Sequence, residues 1–293
     1  NDRRPRGRVV DELQDTGAFS GPVTRVASLT ARLLVPAYAL LALTFVDGIH
    51  PTSASRVSLT SGVAFVAWLF AESGQTLGVT AITTVLIITL ISRPGVPARR
   101  RWRELAVLAV VSLVVLYGGK LINDNLVKPA VGVARPNIAE LADLGVLGMD
   151  ADRFYELSMQ ERSDHLERIK TSTGFGDIRM HDEVRDHWVK ETAHSRPSGH
   201  ALASMTLATY SVGLAMAWLT GWRRVLCALV VPWAVFVGLS RAILRVHWPV
   251  DIMLGGLAGI VLGAVAFAVT RWVLRPPQLR RNQRLRAQRS WHR

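Results

Sequence analysis

The chain has 293 residues, a formal charge of +13 and a hydrophobic fraction of 49%. A basic balance of that size suits nucleic acid, but apolar runs of membrane-spanning length lie between the basic ends, so a membrane is the expected partner and nucleic acid is not. The single cysteine, Cys227, rules out an intramolecular disulfide and a cysteine zinc site, and its apolar surroundings make it a small packing residue.

Residues 1–28 are polar and Arg-rich and are expected to form a cytoplasmic arm. A first span is predicted over 29–46, and no small-residue cleavage pattern follows it, so no cleavable signal peptide is expected. Residues 57–72 are apolar but short and are predicted to form an interfacial or partly inserted helix. Further spans are predicted over 75–91, 104–123, 200–220, 225–240 and 252–273. Between the third and fourth spans, the polar stretch 137–196 carries 13 acidic and 8 basic residues and is expected to form a small helical cap outside the membrane. A basic cytoplasmic tail, 276–293, ends the chain. The predicted fold is an all-α integral membrane protein, a six-transmembrane-helix bundle over 29–275 with one extramembrane insertion.

Charge orients the bundle, because Lys and Arg accumulate in short cytoplasmic loops. With six spans, the N-terminal arm, the linker 93–103, the turn 221–224 and the C-terminal tail share one side, and all four are Arg-rich. Both termini are therefore expected in the cytoplasm. The opposite, outer face receives three polar clusters: 128–136, 196–200 and 240–251.

These clusters bring together the cations Lys128, Arg135 and Arg241, the histidines His200 and His247, and the carboxylate Asp251. His247 and Asp251 are four residues apart, one helical turn, with Pro249 suited to the first position of the last helix. A carboxylate so placed fixes the imidazole tautomer and leaves the other nitrogen free to attack or bind. An interfacial histidine capping a helix is the plain alternative. Ser198 is a good N-cap, and Gly199 lets backbone approach a ligand. Free N–H groups at a helix N-terminus together with Lys and Arg make an anion site that suits phosphate. In that setting an imidazole can attack phosphorus, the cations stabilise the equatorial oxygens, and His200 can protonate the leaving oxygen. Neither a metal nor another cofactor is required.

The motifs K-x6-R-P (Lys128, Arg135, Pro136), P-S-G-H (Pro197, Ser198, Gly199, His200) and S-R-x5-H-x3-D (Ser240, Arg241, His247, Asp251) resemble, in this order, the signature of the type 2 phosphatidic acid phosphatase superfamily. The resemblance spans roughly 75–273 and extends into the insertion at 154–157 and 187–192. It implies a core like that of acid phosphatases and vanadium-dependent haloperoxidases. It implies His247 as nucleophile, Asp251 as its orienting partner, His200 as acid for the leaving group, and Lys128, Arg135, Arg241, Ser198 and Gly199 as phosphate holders. It also implies a bacterial cytoplasmic-membrane enzyme facing outward, acting through a phosphohistidine on phosphatidylglycerophosphate, undecaprenyl pyrophosphate or phosphatidic acid. Arg196 departs from the family pattern, and an extra cation there is expected to favour a more anionic headgroup. A lipid or anion transporter using the same cations is the alternative class, and a haloperoxidase-like oxidant enzyme is a third.

Lys120 is read as a snorkelling cation or a substrate contact, and Asp124 as a group that positions Lys128 or faces water. Arg245 is read as an interfacial cation, His187 and His194 as surface histidines, and Trp102, Trp222, Trp248 and Trp272 as belt residues.

Overall fold

Residues that cannot continue a helix punctuate the apolar runs, and these stops set the elements of the computed structural model. The structure describes residues 23–42 and 57–275. In chain order the helices are α1 (Val23–Leu41), α2 (Gly62–Ser73), α3 (Thr76–Ile91), α4 (98–131), α5 (Pro136–Asp143), α6 (Ala151–Glu156), α7 (Met159–Ser172), α8 (Asp182–Lys190), α9 (Gly199–Trp218), α10 (Gly221–Ile243) and α11 (Pro249–Leu274). Among the described residues there is no strand, only an isolated bridge between Leu59 and Met180. Gly132, with φ +65°, stops α4 in the left-handed conformation that glycine accepts freely. Pro136 and Pro249 start α5 and α11, where a missing N–H costs nothing.

α9 is the axis of the bundle. It is apolar all round because it is buried all round, with residues from α1, α3, α4, α10 and α11 in the same core. Its seat on α11 is made by glycines. A Cβ at Gly255 would lie 2.3 Å from the Ser198 carbonyl oxygen, one at Gly259 2.5 Å from that of Leu202, and one at Gly263 2.6 Å from that of Thr206. The three glycines recur every four residues along one face and let two backbones touch, as small residues do in membrane bundles. The contact also sets register, since the Ser198 N–H donates to the Asp251 carbonyl oxygen at 2.9 Å. Gly255→Ala is expected to push the start of α9 off α11, at a cost of about 1–3 kcal/mol in stability, which thermal melting of the detergent-solubilised protein checks.

Among the described residues, four helical runs are long and apolar enough to cross a membrane: Ala98–Asp143, Gly199–Trp218, Gly221–Ile243 and Pro249–Leu274. The pair α2–α3 adds a fifth if taken as one span, but it bends by 67°. The expected count of six is therefore not confirmed. The first predicted span corresponds to α1, whose apolar stretch Val26–Leu41 is too short by the same measure, and residues 43–46 lie outside the described ones. The arm expected over 1–28 overlaps α1 from Val23 onward, and the tail 276–293 lies outside the described residues. Within the short apolar stretch 57–72 the helix begins at Gly62, and α2 is joined to α3 at a break around Gly74. A Cβ on Gly74 would meet Val237 Cγ1 at 2.7 Å, so the bend sits tightly on α10.

The insertion is helical and has a hydrophobic core of its own. Phe154, Leu166, Phe175, Val184 and Trp188 are buried there together with Ala64, Ala67 and Ala71 of α2 and with Leu244 and Val246 of the loop before His247. α2 therefore belongs to the cap as much as to the bundle. At the far end of the bundle, Arg93 pairs with Glu104 at 2.6 Å and stacks 4.6 Å over Trp218, and Arg103 donates to the Val273 carbonyl oxygen.

Candidate active site

The loop 244–248 carries His247 and is held from several sides. Trp188 Nε1 donates to the Leu244 carbonyl oxygen at 2.9 Å, Asn137 N–H to that of Arg245 at 2.9 Å, and Arg135 Nη1 to that of Val246 at 3.0 Å. Arg245 adds an ion pair to Glu140 at 2.7 Å. It is buried, so the interfacial role expected for it is corrected: it ties the loop to the cap. Trp248 is half-buried, and its indole N–H donates to the Ala134 carbonyl oxygen at 2.8 Å. Trp102, Trp222 and Trp272 are exposed, as a belt requires.

His247 and Asp251 lie close but do not bond directly. Nδ1 stands 3.7 Å from Asp251 Oδ2, beyond hydrogen-bond range. Ser195 fills the gap, with its Oγ 3.2 Å from His247 Nδ1 and 2.5 Å from Asp251 Oδ2. A carboxylate only accepts, so the serine hydroxyl donates to Asp251 and accepts from Nδ1–H. This assigns the tautomer and leaves Nε2 with its lone pair, 3.4 Å from Arg135 Nη1. Burial, reinforced by the Arg135 charge, pushes the His247 pKa down to about 3, so the ring is neutral at ordinary pH. Asp251 is also held by the Trp248 N–H at 3.0 Å and by Arg196 Nε at 2.7 Å. The extra cation at 196 is thus paired with Asp251.

Of the predicted residues, Lys128, Arg135, Gly199, His200 and His247 line one cavity of ≈ 410 Å³, together with Glu191 among others. A Cβ on Gly199 would come 3.8 Å from Lys128 Nζ, so the bare glycine keeps this corner open. Lys128 pairs with Asp124 at 2.8 Å, and Asp124 also takes Lys120 at 2.6 Å. His200 Nε2 is buried with no hydrogen-bond partner among the described residues. Ser198 stands apart from this group: its N–H serves Asp251, and its hydroxyl weakly caps α9 through Ala201 N at 3.4 Å. Asp251 and Arg241 stand behind the cavity wall.

Ser195 is not the last residue that the sequence did not mark as part of the site. Glu191, at the end of α8, bridges both candidate phosphate-binding arginines, with Oε1 2.7 Å from Arg241 Nη2 and Oε2 2.8 Å from Arg135 Nη2. Burial pushes this carboxyl up, but the Arg241 and Arg135 charges outweigh it and hold it well below the usual range. His187, read as a surface residue, is buried behind Arg241, and Glu72 of α2 lies behind His187. Burial pushes the His187 pKa down against the upward pull of the Glu72 hydrogen bond. His194 stacks on Tyr155 with ring centres 4.5 Å apart. The sequence signal that covered two of them is the resemblance at 187–192, which contains His187 and Glu191.

A buried imidazole, a serine–carboxylate relay and a clamp of cations around one cavity define a class, and the sequence bears it out: residues 104–275 match the PAP2 superfamily, to which the chain belongs. Curated relatives include phosphatidylglycerophosphatase B of Escherichia coli K12, of Escherichia coli O157:H7 and of Shigella flexneri, each 30% identical over 159 residues. The match covers 54% of this chain and 58% of each relative, so the chain spans little more than half the length of these proteins.

Proposed function

We propose that this protein is a membrane-embedded phosphatase that removes phosphate from a lipid phosphate or diphosphate. The observation that carries the reading is the carboxylate of Glu191 clamped between Arg135 and Arg241 beside His247. An anion already occupies the place where the equatorial oxygens of a phosphoryl group would be held. Substrate phosphate, with more charge and more acceptors, displaces it.

The chemistry follows from the tautomer. His247 Nε2 attacks phosphorus, the N–P bond forms and the bond to the leaving oxygen breaks. Nδ1–H, leaning on Ser195 and through it on Asp251, disperses the positive charge that the ring acquires. His200 protonates the leaving oxygen and then takes a proton from the water that hydrolyses the phosphohistidine, returning His247 to its neutral form. Arg135, Arg241, Lys128 and the start of α9 at Gly199 stabilise the charge on phosphorus-bound oxygens.

The substrate is amphiphilic because of the cavity's walls. One side is Thr76 and Val79 of α3, another is Leu116, Tyr117 and Leu121 of α4, and both helices carry exposed apolar residues elsewhere. The acyl or prenyl tail lies along this apolar side while the headgroup meets the cations. The names of the relatives favour phosphatidylglycerophosphate, with undecaprenyl pyrophosphate and phosphatidic acid sharing the same terminal phosphate chemistry. The Arg-rich far end, at 93–103 and 221–224, supports a cytoplasmic position for that end and an extracytoplasmic one for the site, in a bacterial cytoplasmic membrane.

Among the described residues no three His, Cys, Asp or Glu side chains group as metal ligands. Inorganic phosphate release from dispersed phosphatidic acid is expected to persist in excess EDTA and to be inhibited by orthovanadate, which mimics five-coordinate phosphorus. Activity lost to the chelator and restored by a divalent cation would replace this mechanism with a metal-assisted one.

A further inference from the structure

Arg241 is fully buried, and a guanidinium can only donate. Its Nη2 donates to Glu191, its Nη1 lies 2.8 Å from His187 Nε2, and its Nε has no partner among the described residues. The Nη1 contact fixes His187 as an acceptor at Nε2, so the ring proton sits on Nδ1. That nitrogen lies 3.0 Å from Glu72 Oε1, which also accepts from Gln75 Nε2 at 2.9 Å. Every hydrogen bond in the series Gln75–Glu72–His187–Arg241 therefore has one permitted direction. When substrate displaces Glu191, His187 is the one partner left to the Arg241 guanidinium among the described residues.

We infer that Glu72 and His187 are positioning residues for Arg241, holding its guanidinium in the orientation that receives the phosphoryl oxygens. The inference rests on the reading above, in which Arg241 binds substrate phosphate. It adds a role for two elements outside the three motifs: α8 of the cap, and the end of α2 beside the bend at Gly74. The same bend touches the second histidine, since a Cβ on Gly74 would lie 3.1 Å from His200 Cδ2. The cap and the bent pair thus set the geometry of the phosphate clamp together.

The test uses the full chain in detergent micelles, with phosphatidic acid as substrate and orthovanadate as inhibitor. His187→Leu keeps apolar bulk and removes the acceptor. It is expected to raise both KM and the vanadate inhibition constant about tenfold or more, the usual consequence of losing a charged hydrogen bond, with helicity unchanged. His187→Gln restores an acceptor toward Arg241 and is expected to recover most of that loss, which a packing role would not predict. Glu72→Ala, at a half-exposed position, is expected to shift both constants in the same direction and keeps the test decisive if His187→Leu does not fold. The inference is overturned if Arg241→Ala abolishes turnover while His187→Leu and Glu72→Ala leave both constants unchanged, or if Gln is as damaging as Leu. If Arg241→Ala itself keeps full turnover and vanadate sensitivity, the phosphate-binding reading falls first and takes this one with it.

Discussion

His247→Ala is expected to lower phosphate release from a dispersed lipid phosphate by at least about a thousandfold while the protein keeps its helicity and its elution volume. Removing a nucleophile removes the covalent route altogether, and what remains is whatever the cation clamp alone gives. Ser195→Ala is the finer probe of the same centre. With Nδ1 3.7 Å from Asp251, the serine hydroxyl is the link between ring and carboxylate. Its loss leaves Nδ1–H without an acceptor in range, and a tenfold to hundredfold fall in turnover is expected. A Ser195→Ala protein as active as the parent would mean that the carboxylate orients the ring by itself. A His247→Ala protein that retained most of its turnover would remove the nucleophile assignment. A lipid transporter built on the same cations would release no inorganic phosphate at all, so the assay separates that class too.

The second large effect concerns Glu191. Its carboxylate is the counterion of two buried arginines. Taking away one partner of a buried ion pair costs about 3–5 kcal/mol, because the remaining charge is left desolvated and unpaired. Glu191→Ala is therefore expected to melt well below the parent in phosphate-free buffer. Inorganic phosphate or vanadate should then restore stability, since an anion that binds only the folded state stabilises by mass action, and the variant should bind it more tightly than the parent. Glu191→Gln, which keeps the volume without the charge, should show the same gain in anion affinity with a smaller loss of stability. Melting temperatures over a phosphate titration measure both. If neither variant gained affinity, Glu191 would not occupy the oxyanion position.

The parts of this protein that were legible in its sequence are those written in local pattern. The apolar runs, their Pro and Gly stops and the three short motifs each announce themselves within about a dozen residues. The motifs do converge, with Lys128, Arg135, Gly199, His200 and His247 around one cavity. What the sequence did not disclose depends on contacts between distant segments. Ser195 stands outside every motif, and only the docking of α9 on α11 brings it between His247 and Asp251. Arg196 stands out in the sequence only as a departure from the family pattern, and its partner, Asp251, is 55 positions away. His187 and Arg245 carried the ordinary expectation for polar residues in a loop-rich region, and both are buried at the seam between cap and bundle. The number of spans is hard to read for another reason: α2 is apolar enough for lipid, yet its alanines are used by the cap.

That shared use by α2 and by Leu244 and Val246 gives the molecule two unequal fastenings. Lys128 on α4, Arg241 on α10 and His200 on α9 belong to the thick bundle, while the loop that carries His247, between α10 and α11, is also fastened through Trp188, Asn137 and Glu140 to the thin shell formed by residues 137–196. Gentle heating or a harsher surfactant should slacken the shell first. Catalysis would then fade while the circular dichroism of the membrane helices still looked healthy, and cooling would bring it back.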